Sequence, residues 1–127
     1  MSDLSDFAEN LVATWLLTDA AVTRPAARYV ALYTTAPSDA GGGTEVSGFG
    51  YARQAFGGTA AGADAANAGE ISFSATGGGW GTIRAVGIFD ASSGGNLLVW
   101  KALSPTVSVG GGEALVYPAG ALIGRAA

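Results

Sequence analysis

The chain has 127 residues, the length of one domain, and contains neither Cys nor His, which excludes disulfides, thiolate or imidazole metal sites, cysteine nucleophiles and imidazole triads. Charged residues make up only 13%, about half the usual share, and ten acids against six bases leave a net charge of −4. The bases (Arg24, Arg28, Arg53, Arg84, Lys101, Arg125) are scattered, so no basic patch for nucleic acid is expected.

In chain order, Leu4, Phe7, Leu11 and Trp15 recur at spacings of three and four and predict a helix over 4–20, with Asp6 and Glu9 as a capping pair that suits the positive end of the helix dipole. Phe7, Leu11 and Trp15 are expected to dock on the body of the same domain, with a neighbouring subunit as the alternative. Asp3, Asp6 and Glu9 precede any base, the reverse of an export signal. The apolar run 11–17 falls short of the roughly 18 residues of a membrane span. The expectation is a protein made in a cytoplasm, with no signal peptide and no membrane partner. Thr23-Arg24-Pro25 should break the helix.

From Arg28 onward the chain reads as β. Strands are predicted at Arg28–Thr34, Tyr51–Phe56, Glu70–Ala75, Thr82–Asp90, Leu97–Ala102, Thr106–Val109, Ala114–Tyr117 and Ala121–Ile123, from alternation and β-branched or aromatic content. Ala36–Gly50 and Gly57–Gly69 read as loops, the second a flexible Ala/Gly stretch. In the two longest apolar strands, Val86, Ile88, Leu98 and Trp100 are expected on one face, and Ile83, Ala85, Phe89, Leu97 and Val99 on the other. The fold class is thus mainly β: a single antiparallel β-sandwich or small barrel of about eight short strands with one N-terminal α-helix. Residues 1–22 form the helical docking or interface element and 23–127 the β-sandwich domain.

Chemistry-bearing motifs are sparse. Gly41-Gly42-Gly43-Thr44 and Gly77-Gly78-Gly79-Trp80-Gly81 lack the Lys-Ser/Thr ending of a phosphate loop and read as turns. No serine sits in a G-x-S-x-G elbow, no calcium loop is present, and Asp39, Glu45, Asp64, Asp90 and Glu113 read as solvated or turn-capping acids. The chain is therefore expected to be no enzyme and to need no cofactor or metal. Phe49, Tyr51, Trp80 and Trp100, with Arg53 stacking or reaching a carboxylate, are candidates for a sugar-binding platform, Trp80 and Phe49 lying in Gly-rich loops that favour exposure and Trp100 sitting mid-strand, which favours the core. The competing reading buries them in the core or an interface. A surface so poor in charge suits a protein packed among copies or onto a lattice, and a GC-rich genome produces the same bias.

The words Tyr29-Val30-Ala31-Leu32-Tyr33-Thr34, Ala36-Pro37-Ser38-Asp39, Gly43-Thr44-Glu45-Val46-Ser47-Gly48 and Gly50-Tyr51-Ala52-Arg53-Gln54 come in an order that resembles small bacteriophage virion proteins commonly labelled tail fibre proteins. Gly79-Trp80-Gly81-Thr82, Val86-Gly87-Ile88-Phe89-Asp90, Gly94-Gly95-Asn96-Leu97-Leu98 and Pro118-Ala119-Gly120-Ala121-Leu122 look like the later segments of the same family, so the likeness spans roughly residues 28–123. Gly112-Glu113-Ala114 departs from it where Gly-Asp and a hydroxyl or aromatic residue are expected. The resemblance implies a non-enzymatic structural component of a virion. Between Glu45 and Arg53 an exposed ion pair across the loop is expected, worth about 0–1 kcal/mol.

Absence of repeats and heptads favours a capsid cement or decoration protein bound in many copies, its partners the major capsid protein or tail proteins and copies of itself. The alternative is a tail fibre or tail-tip module that meets a host glycan. Phe7, Leu11, Trp15, Phe49, Tyr51, Arg53 and Trp80 are the interface candidates.

Overall fold

The computed structural model describes residues 3–126; residues 1–2 and 127, the outer ends of the two expected segments, lie outside the described residues. The elements are α1 (Asp6–Leu17), β1 (Tyr29–Thr35), β2 (Thr44–Glu45), β3 (Gln54–Ala55), β4 (Gly58–Ala61), β5 (Asp64–Asn67), β6 (Ile71–Ser74), β7 (Gly81–Phe89), β8 (Leu97–Val109), β9 (Ala114–Tyr117) and β10 (Ile123–Arg125). All strand pairings are antiparallel and give a β-sandwich with one N-terminal helix and no closed barrel.

The helix is shorter than its period suggests. Ser5, not Asp6 and Glu9, caps it: the Ser5 hydroxyl accepts from Ala8 N (3.1 Å) and donates to Leu97 O, tying the helix start to β8. At the other end the Thr18 hydroxyl donates to Thr14 O (2.6 Å) and accepts from Ala20 N (3.2 Å), so the helix stops well before Pro25. Docking in cis is confined to the helix start, where Ser5 N and Asp6 N also donate to Leu98 O (2.8 Å) and Asp39 O (2.9 Å). Only Ala8 is buried; Leu11 is half-buried, while Phe7 and Trp15 face water. Ser5→Ala should cost about 1 kcal/mol and reduce the helical circular-dichroism signal before the β signal melts.

The main sheet runs β2-β1-β7-β8, with β3 sharing the β2 edge of β1. β10-β5-β4 and β6-β9 form two smaller sheets. The main core lies between the main sheet and these, with Val30, Leu32, Val86 and Ile88 meeting Phe73, Ile71, Phe56 and Leu122. On the opposite face of the main sheet Ala31, Tyr33 and Ala85 form a second buried layer with Phe89 and Trp100.

Two register shifts rearrange the expected faces of β7 and β8. Pairing shifts between Ile83 and Ala85, so Ile83 joins the main core while Ala85 lies in the second layer. A second shift pairs Phe89 with Leu97 and Ile88 with Val99; Val99 therefore packs on the main core, and Trp100, opposite Gly87, turns to the other layer. The first shift also merges two expected strands. Between Ala85↔Ala102 and Ile83↔Val107 the extra residues of β8 include Pro105, after a cis Ser104–Pro105 bond, and a bulge tolerates its missing N–H.

Elsewhere the predicted loop 57–69 is a hairpin of β4 and β5, formed by Ala and Gly without a β-branched signal beyond Thr59. Within the expected loop 36–50, β2 pairs with the end of β1. Of the predicted strand 51–56 only Gln54 and Ala55 pair, and the last strand moves from 121–123 to Ile123–Arg125.

Candidate functional site

Glu45, Tyr51 and Arg53 gather along the edge of β1 away from β7, because β2 and β3 pair with its two halves there and the chain between them loops back. The Tyr51 hydroxyl donates to Glu45 Oε2 (2.6 Å) and accepts from Leu32 N (3.0 Å). Arg53 grips the same carboxylate with two parallel bonds, Nε to Oε2 and Nη2 to Oε1, both 2.8 Å. Its Nη1 donates to Ala91 O (2.9 Å) and Gly94 O (2.8 Å), and its guanidinium lies 3.8 Å from the Phe89 ring centroid. The expected ion pair exists but is not an exposed one, since the side chains keep only 7% (Arg53) and 27% (Glu45) of their accessibility. Arg53 thereby fastens the loop between β7 and β8 to β2.

The expected aromatic platform does not form. Trp80 is buried, its Nε1 donating to Gly48 O (3.2 Å) and Phe49 O (3.3 Å), and its ring meets Tyr51 edge-on at 5.6 Å. Glycines on both sides of Trp80 suggest exposure, but the residue stands where the chain enters β7 and closes over the core. Phe49 alone among the four faces water, in a left-handed conformation (φ 50°), with its ring against Gly78. A Cβ on Gly78 would stand 2.6 Å from that ring.

A cleft of about 460 Å³ opens beside the ionic network. Tyr33, Glu45 and Phe89 line it on the sheet side, with Asp6 and Phe7 from the helix start, Asp39 to Gly43 from the loop after β1, and Asn96 from the β7–β8 loop. Its polar groups are held from behind. Asp39 Oδ1 accepts from Trp100 Nε1 (2.9 Å) and Asp39 O from Asp6 N (2.9 Å), while Asn96 is clasped by Asp90 through its backbone N (2.7 Å) and its amide (3.0 Å). Gly43 (φ +75°) lets the loop turn back, since a Cβ there would meet Thr35 O at 2.7 Å. Carboxylates, an amide and aromatic faces in one open cleft suit hydroxyl-rich ligands. Among the described residues no cluster of three or more side chains of metal-ligating type occurs.

Sequence reasoning pairs Glu45 with Arg53 but misses the Tyr51 phenol, the Phe89 stack and the whole cleft. The spacing of Glu45, Tyr51 and Arg53 is the visible signal; the cleft combines segments some ninety positions apart and has none.

Burial pushes the Glu45 carboxyl up, but hydrogen bonds from Arg53 and Tyr51 and the charge of Arg53 outweigh this and hold it below its ordinary 4.5. A lowered folded value gives stability that is complete above the ordinary value and is lost as pH falls through the folded one. Burial, then the Glu45 charge, pushes Tyr33 up to about 12 against the opposing charge of Arg53, and burial followed by the Glu45 hydrogen bond raises Tyr51 further. Those raised values remove stability as pH climbs above the ordinary 10.0. Denaturant titrations should give a plateau between about pH 5 and 10 with a fall on each side. In Glu45→Gln the acid-side fall should be smaller.

The family model described as Podophage GP4 fiber I protein gp80 matches residues 3–125. The chain belongs to this fibre family. Membership makes it a bacteriophage structural protein and a component of the virion. The match covers α1 as well as the sandwich, a wider span than the resemblance read from sequence words. A search of curated proteins found no match.

Proposed function

We propose that this fibre-family chain works at the tail of the particle, as a tail fibre or tail-tip module, and acts by binding rather than by catalysis. The family match over residues 3–125 carries this reading. It reverses the order taken from the sequence, in which shortness and missing repeats put capsid cement first; a fibre family outweighs an argument from length. The host-facing contact is assigned to the cleft at Tyr33, Asp39 and Asn96, where fixed acceptors and an amide can meet sugar hydroxyls and Phe7 and Phe89 can meet the apolar face of a sugar ring. Two of its acids already serve the fold, Glu45 holding Arg53 and Asp39 holding Trp100, and its amide, Asn96, is itself held by Asp90 from outside the cleft. That commitment favours recognition over acid–base chemistry. The partners in this reading are other tail proteins and copies of the chain, with a host-surface glycan at the cleft.

Gold-labelled antibody on purified particles tests the placement. Label at the tail is the expected result, and label spread over the head would restore the cement reading. For the cleft, a glycan array probed with the intact protein should give hits that Asp39→Ala weakens about tenfold, the value of one charge-assisted hydrogen bond. Hits unchanged by that substitution would move the contact elsewhere.

A further inference from the structure

We propose that the exposed end of α1 docks into an apolar cleft on a second copy of this chain, head to tail. Both halves of such a contact lie on one molecule. The helix leaves Trp15 64%, Leu16 62% and Leu17 82% accessible, and its single buried side chain is Ala8. A helix of 12 residues is marginal by itself in water and normally depends on packing of its apolar face. With Val12, these side chains hold on the order of 500 Å² of apolar surface, as much as the largest patch on a typical monomer. Stable interfaces cover roughly 800 Å² per partner, which the patch and its polar flanks together can supply.

Charge selects the occupant. Residues 3–19 carry Asp3, Asp6, Glu9 and Asp19 and no base, so the entire net charge of −4 resides there, and acids and bases balance six to six over the rest. Two such helices laid side by side would crowd like charges. Between the β4–β5 hairpin, β8 and β10 lies an apolar cleft of about 320 Å³, lined by Phe56, Ile88, Leu98 and Val99 and rimmed by Arg28 and Arg125. Its volume falls in the range of ~300–1,000 Å³ that ligand pockets occupy, room for an indole and a neighbouring leucine. Arg125 is half-exposed, 3.8 Å from Asp64, so the rim keeps an excess of positive charge toward an incoming acidic helix. Arg24 stands beside Trp15 at one edge of the helix patch, and over residues 3–24 the four acids outnumber this one base. Because the two surfaces differ, the contact is heterologous and either closes into a ring or continues as a filament.

Sedimentation velocity of the full chain over a concentration series tests this, independently of where in the particle the protein sits. The wild type should gain mass with concentration. Trp15→Ser/Leu16→Ser should associate at least tenfold more weakly, and so should Ala60→Glu/Ala63→Glu, which places acids at the exposed mouth of the cleft. Mixed one to one, the two variants should form a heterodimer that grows no further, since each retains one intact half. Arg125→Glu serves as a second cleft variant, and circular dichroism confirms that each chain is folded. A wild type that stays monomeric throughout would overturn the proposal, as would a cleft variant that associates as well as the wild type, which would mean helix-to-helix pairing.

Discussion

Asn67→Asp should destabilise the domain by about 4 kcal/mol, the largest effect expected from an isosteric change in this chain. Asn67 closes β5 and is buried, with 2% of its surface accessible. Its amide Nδ2 donates to Gly69 O (2.8 Å), Pro118 O (2.9 Å) and Tyr117 O (3.2 Å), and its Oδ1 accepts from Leu122 N (2.9 Å). One side chain thus holds the turn between β9 and β10 against the hairpin. Aspartate keeps the shape but faces three carbonyl oxygens with a buried negative charge. For a chain of this size, 1 kcal/mol moves Tm by roughly 3–6 °C, so thermal melts should show a loss of more than about 10 °C. Asn67→Ala, which leaves unpaired groups but adds no charge, should lose about half as much. The Asp variant should recover stability at low pH, where its carboxyl is protonated, whereas the Ala variant should not. Equal losses for the two at every pH would show that a buried charge facing these carbonyls adds nothing to the cost of losing the amide.

Arg53→Ala should cost about 3 kcal/mol. Four hydrogen bonds and the contact with the Phe89 ring disappear together, leaving Glu45 half-buried with the Tyr51 hydroxyl still donating to one of its oxygens. The partial exposure of Glu45 keeps the figure below that of a fully buried broken pair. Arg53→Lys should recover less than half, because an ammonium cannot hold both carboxylate oxygens in the fork geometry and also reach the two loop carbonyls. Hydrogen exchange in residues 90–96 should rise in both variants, since Arg53 is what fastens that loop. Unchanged exchange there would contradict the role given to Nη1.

These two residues also show how unevenly the sequence discloses the molecule. Arg53 stands near Glu45 in a block with a recognisable order of words, so their pairing was legible. Its burial was not, because the loop carbonyls and the Phe89 ring that cover it lie some forty positions away. Asn67 sits in a stretch of Ala and Gly that reads as a flexible loop. The hairpin it closes draws its order from partners near residues 117–122, and no local propensity announces them.

By itself, the sequence determined the class of the fold, the single helix, most long strands and the family resemblance. These rest on local periodicity and on words that a short window contains. Tertiary structure decided the rest. Register shifts in β7 and β8 exchanged the expected faces of Val99 and Trp100, since one extra residue in a strand sends every later side chain to the opposite face. Trp80 went inside although glycines flank it, and Trp15 stayed outside although its helical spacing resembles that of a core residue. Periodicity marks which side chains share a face; only the packed neighbours determine whether that face meets the core, a cleft or water.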